Sequence, residues 1–163
     1  MRILIVEDDG GSRAILQEHL RARGWEVLSV ERPERALALL QKEEVDLVLT
    51  DIHLPGASGT EHIRALCRRD DPARLGAPLV VVMTGFPSLE TCLDSIRAGA
   101  AGYLVKPFKM SEFALLAERA LTERGLLARA GELERRVREL EEELARLRAL
   151  PPARPGDPLG VSR

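Results

Sequence analysis

Five short strand-like segments recur along the chain, and four of them are almost continuously apolar. They are Arg2–Val6, Trp25–Val30, Leu47–Thr50, Leu79–Met83 and Gly102–Val105. Apolar runs of this length, without polar alternation, are typical of parallel strands that are buried on both faces. Because helical patterns separate the runs, the sequence predicts an α/β fold with a doubly wound, five-stranded parallel sheet covered by helices on both sides.

The segments between the predicted strands carry apolar residues at helical spacing. In a first helix over Ser12–Arg23, Ile15, Leu16 and Leu20 fall on one face, and Gly24 is expected to cap its C-terminus. Similar patterns predict helices from Pro33 to Lys42, over Gly59–Arg68, over Ser88–Ala98 and from Ser111 onward. Five helices are therefore expected around the sheet, in a domain that spans residues 1–121.

The apolar residues after about residue 121 follow a heptad repeat. The residues expected to form its apolar seam are Leu126, Leu133, Val137, Leu140, Leu144 and Leu147. In a parallel pair of helices, the flanking residues would bring Arg129 opposite Glu134, Arg136 opposite Glu141, and Glu143 opposite Arg148. All three pairs have opposite charges, so the pattern predicts a dimeric, parallel coiled coil over residues 122–150.

A solitary charged helix is the alternative for this segment, although it would leave the apolar seam in water. Gly125 lies at the start of the repeat and is expected to act as a hinge or break. Pro151 and Pro152 are expected to end the helix, and the Pro- and Gly-rich tail over residues 151–163 is predicted to be disordered.

Composition narrows the possible functions. The chain has 163 residues and 45% hydrophobic residues, which is enough for one domain with a core and an appendage. A net charge of −2 gives no reason to expect binding to nucleic acid or to a membrane. Cys67 and Cys92 are too few and too isolated for a disulfide framework, and together with the lack of a long apolar stretch they favour a cytoplasmic protein.

Polar residues suited to bind a metal ion or a phosphoryl group follow four of the predicted strands. Glu7 and Asp8 follow the first strand, and Asp51, Thr84 and Lys106 follow the third, fourth and fifth. In open parallel sheets, ligands bind beyond the carboxyl ends of the strands. A single pocket that contains all five residues is therefore expected.

These residues, in this order, resemble the receiver domain of two-component response regulators. The resemblance covers residues 1 to about 121, and its further motif residues are Pro55, Gly59, Gly85, Tyr103 and Pro107. It implies the flavodoxin-like strand order 2-1-3-4-5. It also implies that Asp51 accepts a phosphoryl group from a histidine kinase or phosphotransfer protein, with Thr84, Lys106 and Tyr103 as the catalytic and switch residues.

The resemblance also implies a magnesium ion. Asp8 and Asp51 would bind it directly, Glu7 through water, and His53 through its backbone carbonyl, a set of oxygen ligands that suits this ion. Pro107 is a candidate for a cis peptide bond after Lys106. One departure from the family is the pair Gly10 and Gly11, which is expected to make the loop beside the metal site unusually permissive.

The predicted output is a change in protein–protein interaction or dimer arrangement, and chemistry would be confined to phosphorylation and dephosphorylation of the protein's own aspartate. An aspartyl-phosphate phosphatase is disfavoured, because that class needs a second aspartate two residues after the first and His53 stands there. The other alternative is the N-terminal regulatory part of a larger transcriptional activator. The segment 123–150 has seven acidic and seven basic residues, so it does not resemble a basic DNA-reading helix.

Overall fold

The structure, a computed structural model, describes residues 1–56, 59–68 and 78–148, except for the side chain of Leu147. The strands are β1 (Arg2–Val6), β2 (Glu26–Val30), β3 (Leu47–Asp51), β4 (Leu79–Thr84) and β5 (Gly102–Val105). The helices are α1 (Gly10–Arg21), α2 (Pro33–Leu40), α3 (Gly59–Cys67), α4 (Leu89–Arg97) and α5 (Met110–Arg148). All strand pairs are parallel and the order is β2-β1-β3-β4-β5, which confirms the predicted α/β architecture.

The sheet separates two hydrophobic layers because side chains alternate between its faces. In β1, Ile3 and Ile5 join the layer under α1 and α5, which includes Phe113. Leu4 and Val6 join the opposite layer, under α2 and α3. Every residue of β3 and β4 is buried, so the two central strands are covered on both faces, as their continuous apolar sequences predict.

The first helix begins earlier than its periodicity suggests. The Asp9 side chain accepts a hydrogen bond from the backbone N–H of Ser12 at 2.7 Å, so Asp9 is the N-cap and Gly10 and Gly11 lie in the first turn of α1. The prediction that these glycines form a permissive loop is therefore wrong. The helical periodicity predicts that Ile15 is buried together with Leu16 and Leu20. In the structure Leu16 and Leu20 are buried, but Ile15 is 56% exposed.

The chain forms two compact units, Met1–Glu123 and Arg124–Arg163. Gly125 lies inside α5 rather than at a break in the helix. In the second unit the heptad residues Leu126, Leu133, Val137, Leu140 and Leu144 are between 46% and 67% exposed. The predicted tail, the last two residues of the predicted coil and the side chain of Leu147 lie outside the described residues.

No helix within the described ranges has both the length and the apolar character that crossing a bilayer requires.

One buried histidine adjoins the strand that carries Asp51. His62 on α3 is 4% exposed, and its Nε2 lies 2.7 Å from the Thr50 hydroxyl. Its Nδ1 is buried without a hydrogen-bond partner among the described residues. Burial lowers the pKa of His62 to about 4, although the charge of Glu34 opposes that change. The folded domain therefore holds this imidazole neutral.

We expect the stability of the domain to fall as the pH decreases from 6.5 towards 4. In that window the unfolded chain binds a proton at His62 and the folded chain does not, so stability is lost at up to about 1.4 kcal/mol per pH unit. The His62→Gln variant keeps a polar side chain for Thr50 but cannot titrate. Urea unfolding at several pH values should show a steeper decline for the natural chain, and identical slopes would contradict this expectation.

Candidate functional site

The parallel sheet brings the predicted site residues to one edge. Glu7 directly follows β1, Asp51 ends β3, Thr84 ends β4, and Lys106 directly follows β5. The register places Asp51 beside Met83 and Thr84 beside Val105. Their shared position follows from parallel pairing, because the carboxyl ends of all the strands lie on the same side.

The Lys106 ammonium joins two of the carboxylates. Its Nζ lies 2.5 Å from Glu7 Oε2 and 2.6 Å from Asp51 Oδ2. The carboxylate side chains are 3% and 11% exposed, and that of Lys106 is 24% exposed. Burial of Lys106 lowers its pKa, but the hydrogen bonds that its ammonium donates to Asp51 and Glu7, together with their negative charges, outweigh that effect and raise the pKa overall. Burial raises the pKa of the Glu7 carboxyl, and Lys106 offsets this only in part.

An arginine that the sequence analysis missed supports the acidic segment. The Arg13 guanidinium donates to the backbone carbonyls of Glu7 at 2.6 Å and Asp8 at 3.2 Å. Asp8 itself is exposed. Asp9 caps α1 immediately after the acidic segment, so Arg13 in the first turns of the helix lies within reach of these carbonyls. The spacing of apolar residues along α1 does not distinguish Arg13 from the other polar residues of this helix.

Thr84 ends the strand that pairs with the strand of Asp51, and its hydroxyl takes part in two hydrogen bonds. The buried Thr84 Oγ1 accepts from the backbone N–H of Phe86 at 3.1 Å and lies 3.2 Å from His53 Nδ1. The backbone N–H of His53 in turn donates to Asp51 Oδ1 at 2.8 Å. The His53 and Phe86 rings meet edge to face, with centroids 5.9 Å apart. His53 is expected to bind magnesium through its backbone carbonyl, and the structure also places its side chain at the site.

Tyr103 is directed to the start of α4 rather than to the carboxylates. Its hydroxyl lies 3.0 Å from Thr91 Oγ1. Thr91 and Ser88 form a capping box at the N-terminus of α4, in which each side chain accepts from the other's backbone N–H. Thr91 is a second residue that sequence reasoning missed, since a threonine in a first helical turn carries no signal of a tyrosine partner distant in sequence.

A groove of about 350 Å³ opens next to Lys106. It is lined by α1 and by the segment that follows β5, and its lining residues are Ser12, Ile15, Leu16, His19, Lys106, Pro107, Phe108 and Met110. The Lys106–Pro107 peptide bond in this segment is cis. The exposed Ile15 therefore forms part of an apolar surface beside the acidic site.

The donor set at this edge is made of oxygen atoms. Among the described residues, no three histidine, cysteine, aspartate or glutamate side chains are grouped as a metal cluster. Magnesium does not require such a cluster, because it keeps several waters and binds through one or two carboxylates. Glu7 and Asp51 already contact one cation, the Lys106 ammonium, and Asp8 is exposed beside them. The oxygen donors fit magnesium better than zinc, which takes nitrogen and sulfur ligands.

The chain is similar to known proteins over most of its length. The family model described as the response regulator receiver domain matches residues 3–118. The sporulation initiation phosphotransferase F of Bacillus subtilis is 32% identical over 111 residues, or 68% of this chain and 86% of that protein. The alginate biosynthesis transcriptional regulatory protein AlgB of Pseudomonas putida is 31% identical over 145 residues, or 88% of this chain and 31% of that protein.

A solved structure agrees with these sequence relatives. The crystal structure of a response regulator receiver domain protein (CheY-like) from Methanospirillum hungatei has 31% sequence identity and a TM-score of 0.67, and the match covers 76% of this chain and 95% of that one. Several of the regulatory relatives are much longer, and this chain spans between 22% and 31% of the length of three of them.

We expect Lys106→Met to destabilise the domain more than the double substitution Glu7→Gln with Lys106→Met. The single change leaves two neighbouring, largely buried carboxylates without their cation, which should cost about 1–3 kcal/mol, a value reduced for the partial exposure of Lys106. The double change also removes one of the two negative charges. Urea unfolding without divalent cations would measure both, and a double variant no more stable than Lys106→Met would contradict the role of Lys106 as a counter-ion.

Proposed function

This chain belongs to the receiver domain family of two-component response regulators, and we propose that Asp51 is the residue on which it accepts a phosphoryl group. Proteins of this family are phosphoryl-accepting regulators rather than classical enzymes. The observation that supports the assignment to Asp51 most directly is its 2.6 Å contact with Lys106 at the end of the central strand β3. The donor would be a histidine kinase or a phosphotransfer protein.

The groups around Asp51 are suited to this transfer. An Asp51 carboxylate oxygen would attack the phosphorus as the bond from phosphorus to the donor nitrogen breaks. With the other nitrogen of the donor imidazole protonated, the products are an acyl phosphate and a neutral histidine. The three outer oxygens of the phosphoryl group carry the charge in such a transfer. Lys106 would neutralise part of this negative charge, and the hydroxyl of Thr84 would donate a hydrogen bond to one of these oxygens.

The same residues would hold the magnesium ion. Asp8 and Asp51 would bind it directly, Glu7 through water, and His53 through its backbone carbonyl. When bound, magnesium supplies positive charge that offsets the repulsion between the Asp51 carboxylate and the incoming phosphoryl group. Arg13 would keep the acidic segment in place, since its guanidinium holds the carbonyls of both Glu7 and Asp8.

The groove beside Lys106 is the proposed docking surface for the phosphoryl donor. It adjoins the acceptor site, and Ile15, Leu16, Pro107 and Phe108 give it apolar walls. A donor protein that binds there would bring its phosphohistidine to the carboxyl ends of the strands. The exposed Ile15 would then become buried in the complex, which accounts for an apolar residue on the surface of α1.

The proposed output surface lies on α4, β5 and the first part of α5. Its exposed apolar residues are Leu89, Leu93, Ile96, Val105 and Leu115. Tyr103 reaches this region through its contact with Thr91. Phosphorylation would draw Thr84 towards the phosphoryl group and change the position of Tyr103, so that partner binding at this surface changes. Because relatives include much longer transcriptional regulators, a regulatory role at the front of a larger activator is the second candidate.

The second unit is proposed to pair with a second copy of the chain. Five of the six predicted seam residues are described, and each is 46–67% exposed in the single chain. A parallel pair of helices would cover them, with opposite charges facing each other on the flanks. In the single helix Arg136 instead contacts Glu139 at 3.1 Å, within the same helix. Such an exposed pair is weak, so it would not compete strongly with pairing between helices.

Incubation with acetyl phosphate and magnesium should add one phosphoryl group to the chain. The product should be stable in acid and labile to hydroxylamine, as an acyl phosphate is, and chelation of magnesium should prevent its formation. Asp51→Asn should abolish labelling, whereas Asp94→Asn, which alters an aspartate on α4 away from the site, should not. Intact-mass spectrometry would measure both, and equal labelling of the Asp51→Asn protein would exclude Asp51 as the acceptor.

The double substitution of Leu140 and Leu144 by Asp should convert the dimer to a monomer with an intact receiver fold. The apolar seam must supply most of the affinity, because each exposed charge pair is worth only about 0.2–1 kcal/mol. Glu143→Arg reverses one flanking charge and should weaken pairing only slightly. Sedimentation velocity would measure the states. A double variant that stays dimeric would place the dimer interface on the receiver unit instead.

A further inference from the structure

The imidazole of His53 lies within hydrogen-bond distance of the Thr84 hydroxyl, which is the group expected to bind the phosphoryl oxygens. His53 Nδ1 lies 3.2 Å from Thr84 Oγ1, and the His53 side chain is half exposed while Thr84 is fully buried. We propose that His53 is a positioning residue that holds the Thr84 hydroxyl in the unphosphorylated protein, so that a phosphoryl oxygen on Asp51 must displace it. This inference rests on the proposed function and identifies a residue that regulates the same site.

The hydrogen bonds around Thr84 assign the direction of this contact. A hydroxyl has one hydrogen to donate, and Thr84 Oγ1 already accepts the backbone N–H of Phe86 at 3.1 Å. A buried hydroxyl needs a partner for its own hydrogen. His53 Nδ1 supplies an acceptor when the ring proton is on Nε2, the nitrogen at the other side of the ring. In that tautomer the hydroxyl hydrogen is directed to the imidazole.

Two further contacts hold the imidazole in this position. The backbone N–H of His53 donates to Asp51 Oδ1 at 2.8 Å, which fixes the main chain next to the acceptor carboxylate. The ring packs edge to face against Phe86, at an angle of 83°. Phe86 thus restrains both members of the pair, since its N–H binds Thr84 and its ring contacts His53.

Displacement of His53 is favourable only when a charged acceptor is present. A hydrogen bond from a hydroxyl to a phosphoryl oxygen is charge-assisted and roughly twice as strong as a neutral one. The released imidazole is half exposed and can be hydrated, so it does not become a buried unpaired group. His53 would therefore weaken the binding of every phosphoryl-like ligand at Asp51 without blocking the site.

Beryllofluoride binding in the presence of magnesium tests the proposal on the full chain. His53→Phe keeps a ring against Phe86 but removes the acceptor, and it should tighten beryllofluoride binding roughly two- to tenfold, the range for one net hydrogen bond. His53→Asn places an amide oxygen close to the position of Nδ1 and should restore an affinity near that of the natural chain. Both variants keep the backbone carbonyl, and their unfolding midpoints would be compared with that of the natural chain.

A second pair of variants separates the hydrogen bond from effects of shape. In a Thr84→Ala background the hydroxyl is absent, so His53→Phe should no longer change the affinity. Equal affinities for His53→Phe and His53→Asn would overturn the inference, and so would tightening that persists without the Thr84 hydroxyl. Failure of the natural chain to bind beryllofluoride would overturn the proposed function itself. Binding by the natural chain with no gain in His53→Phe would overturn the inference alone.

Discussion

The contact of one ammonium group with two carboxylates organises the functional edge of this domain. Lys106 follows the last strand, Glu7 follows the first, and Asp51 ends the central strand, so the pair of hydrogen bonds at 2.5 and 2.6 Å joins segments that are 99 and 55 residues apart in sequence. The ammonium between the two largely buried carboxylates offsets their mutual repulsion. The sheet therefore carries an acidic pocket in which one lysine offsets part of the negative charge, and the remaining negative charge is consistent with the proposed binding of a second cation.

The hydroxyl groups of Thr84 and Tyr103 make separate hydrogen bonds, one beside the pocket and one at the start of α4. Thr84 is engaged by His53 and by the backbone of Phe86, and Tyr103 is engaged by Thr91 in the capping box of α4. Each of these contacts is a single neutral hydrogen bond, worth about 1 kcal/mol. Under the proposed function, a phosphoryl group on Asp51 would replace the contact of Thr84 with His53 without disrupting the core, because one neutral hydrogen bond is small against the stability of the fold.

The corrections to the sequence analysis all arise from local geometry. Gly10 and Gly11 are helical despite the low helix propensity of glycine, and the side chain of Asp9 caps the helix just before them. Ile15 has the periodicity of a buried residue, yet it lies beside a groove rather than under the sheet. Gly125 lies within α5 although glycine is disfavoured in a helix interior by about 1 kcal/mol, a cost that a helix of 39 residues can tolerate.

The sequence by itself determined the order of strands and helices and the identity of the residues at the strand ends, because the apolar runs are long enough to specify buried parallel strands and such strands end on a common edge. It also determined the family, through Glu7, Asp8, Asp51, Thr84 and Lys106 in that order. Only the tertiary structure decided the supporting contacts: Arg13 on the acidic segment, His53 on Thr84, Thr91 on Tyr103, and the buried His62 on Thr50. Each of these joins side chains whose meeting depends on rotamers and on helix start positions, and hydrophobic periodicity carries no information about either.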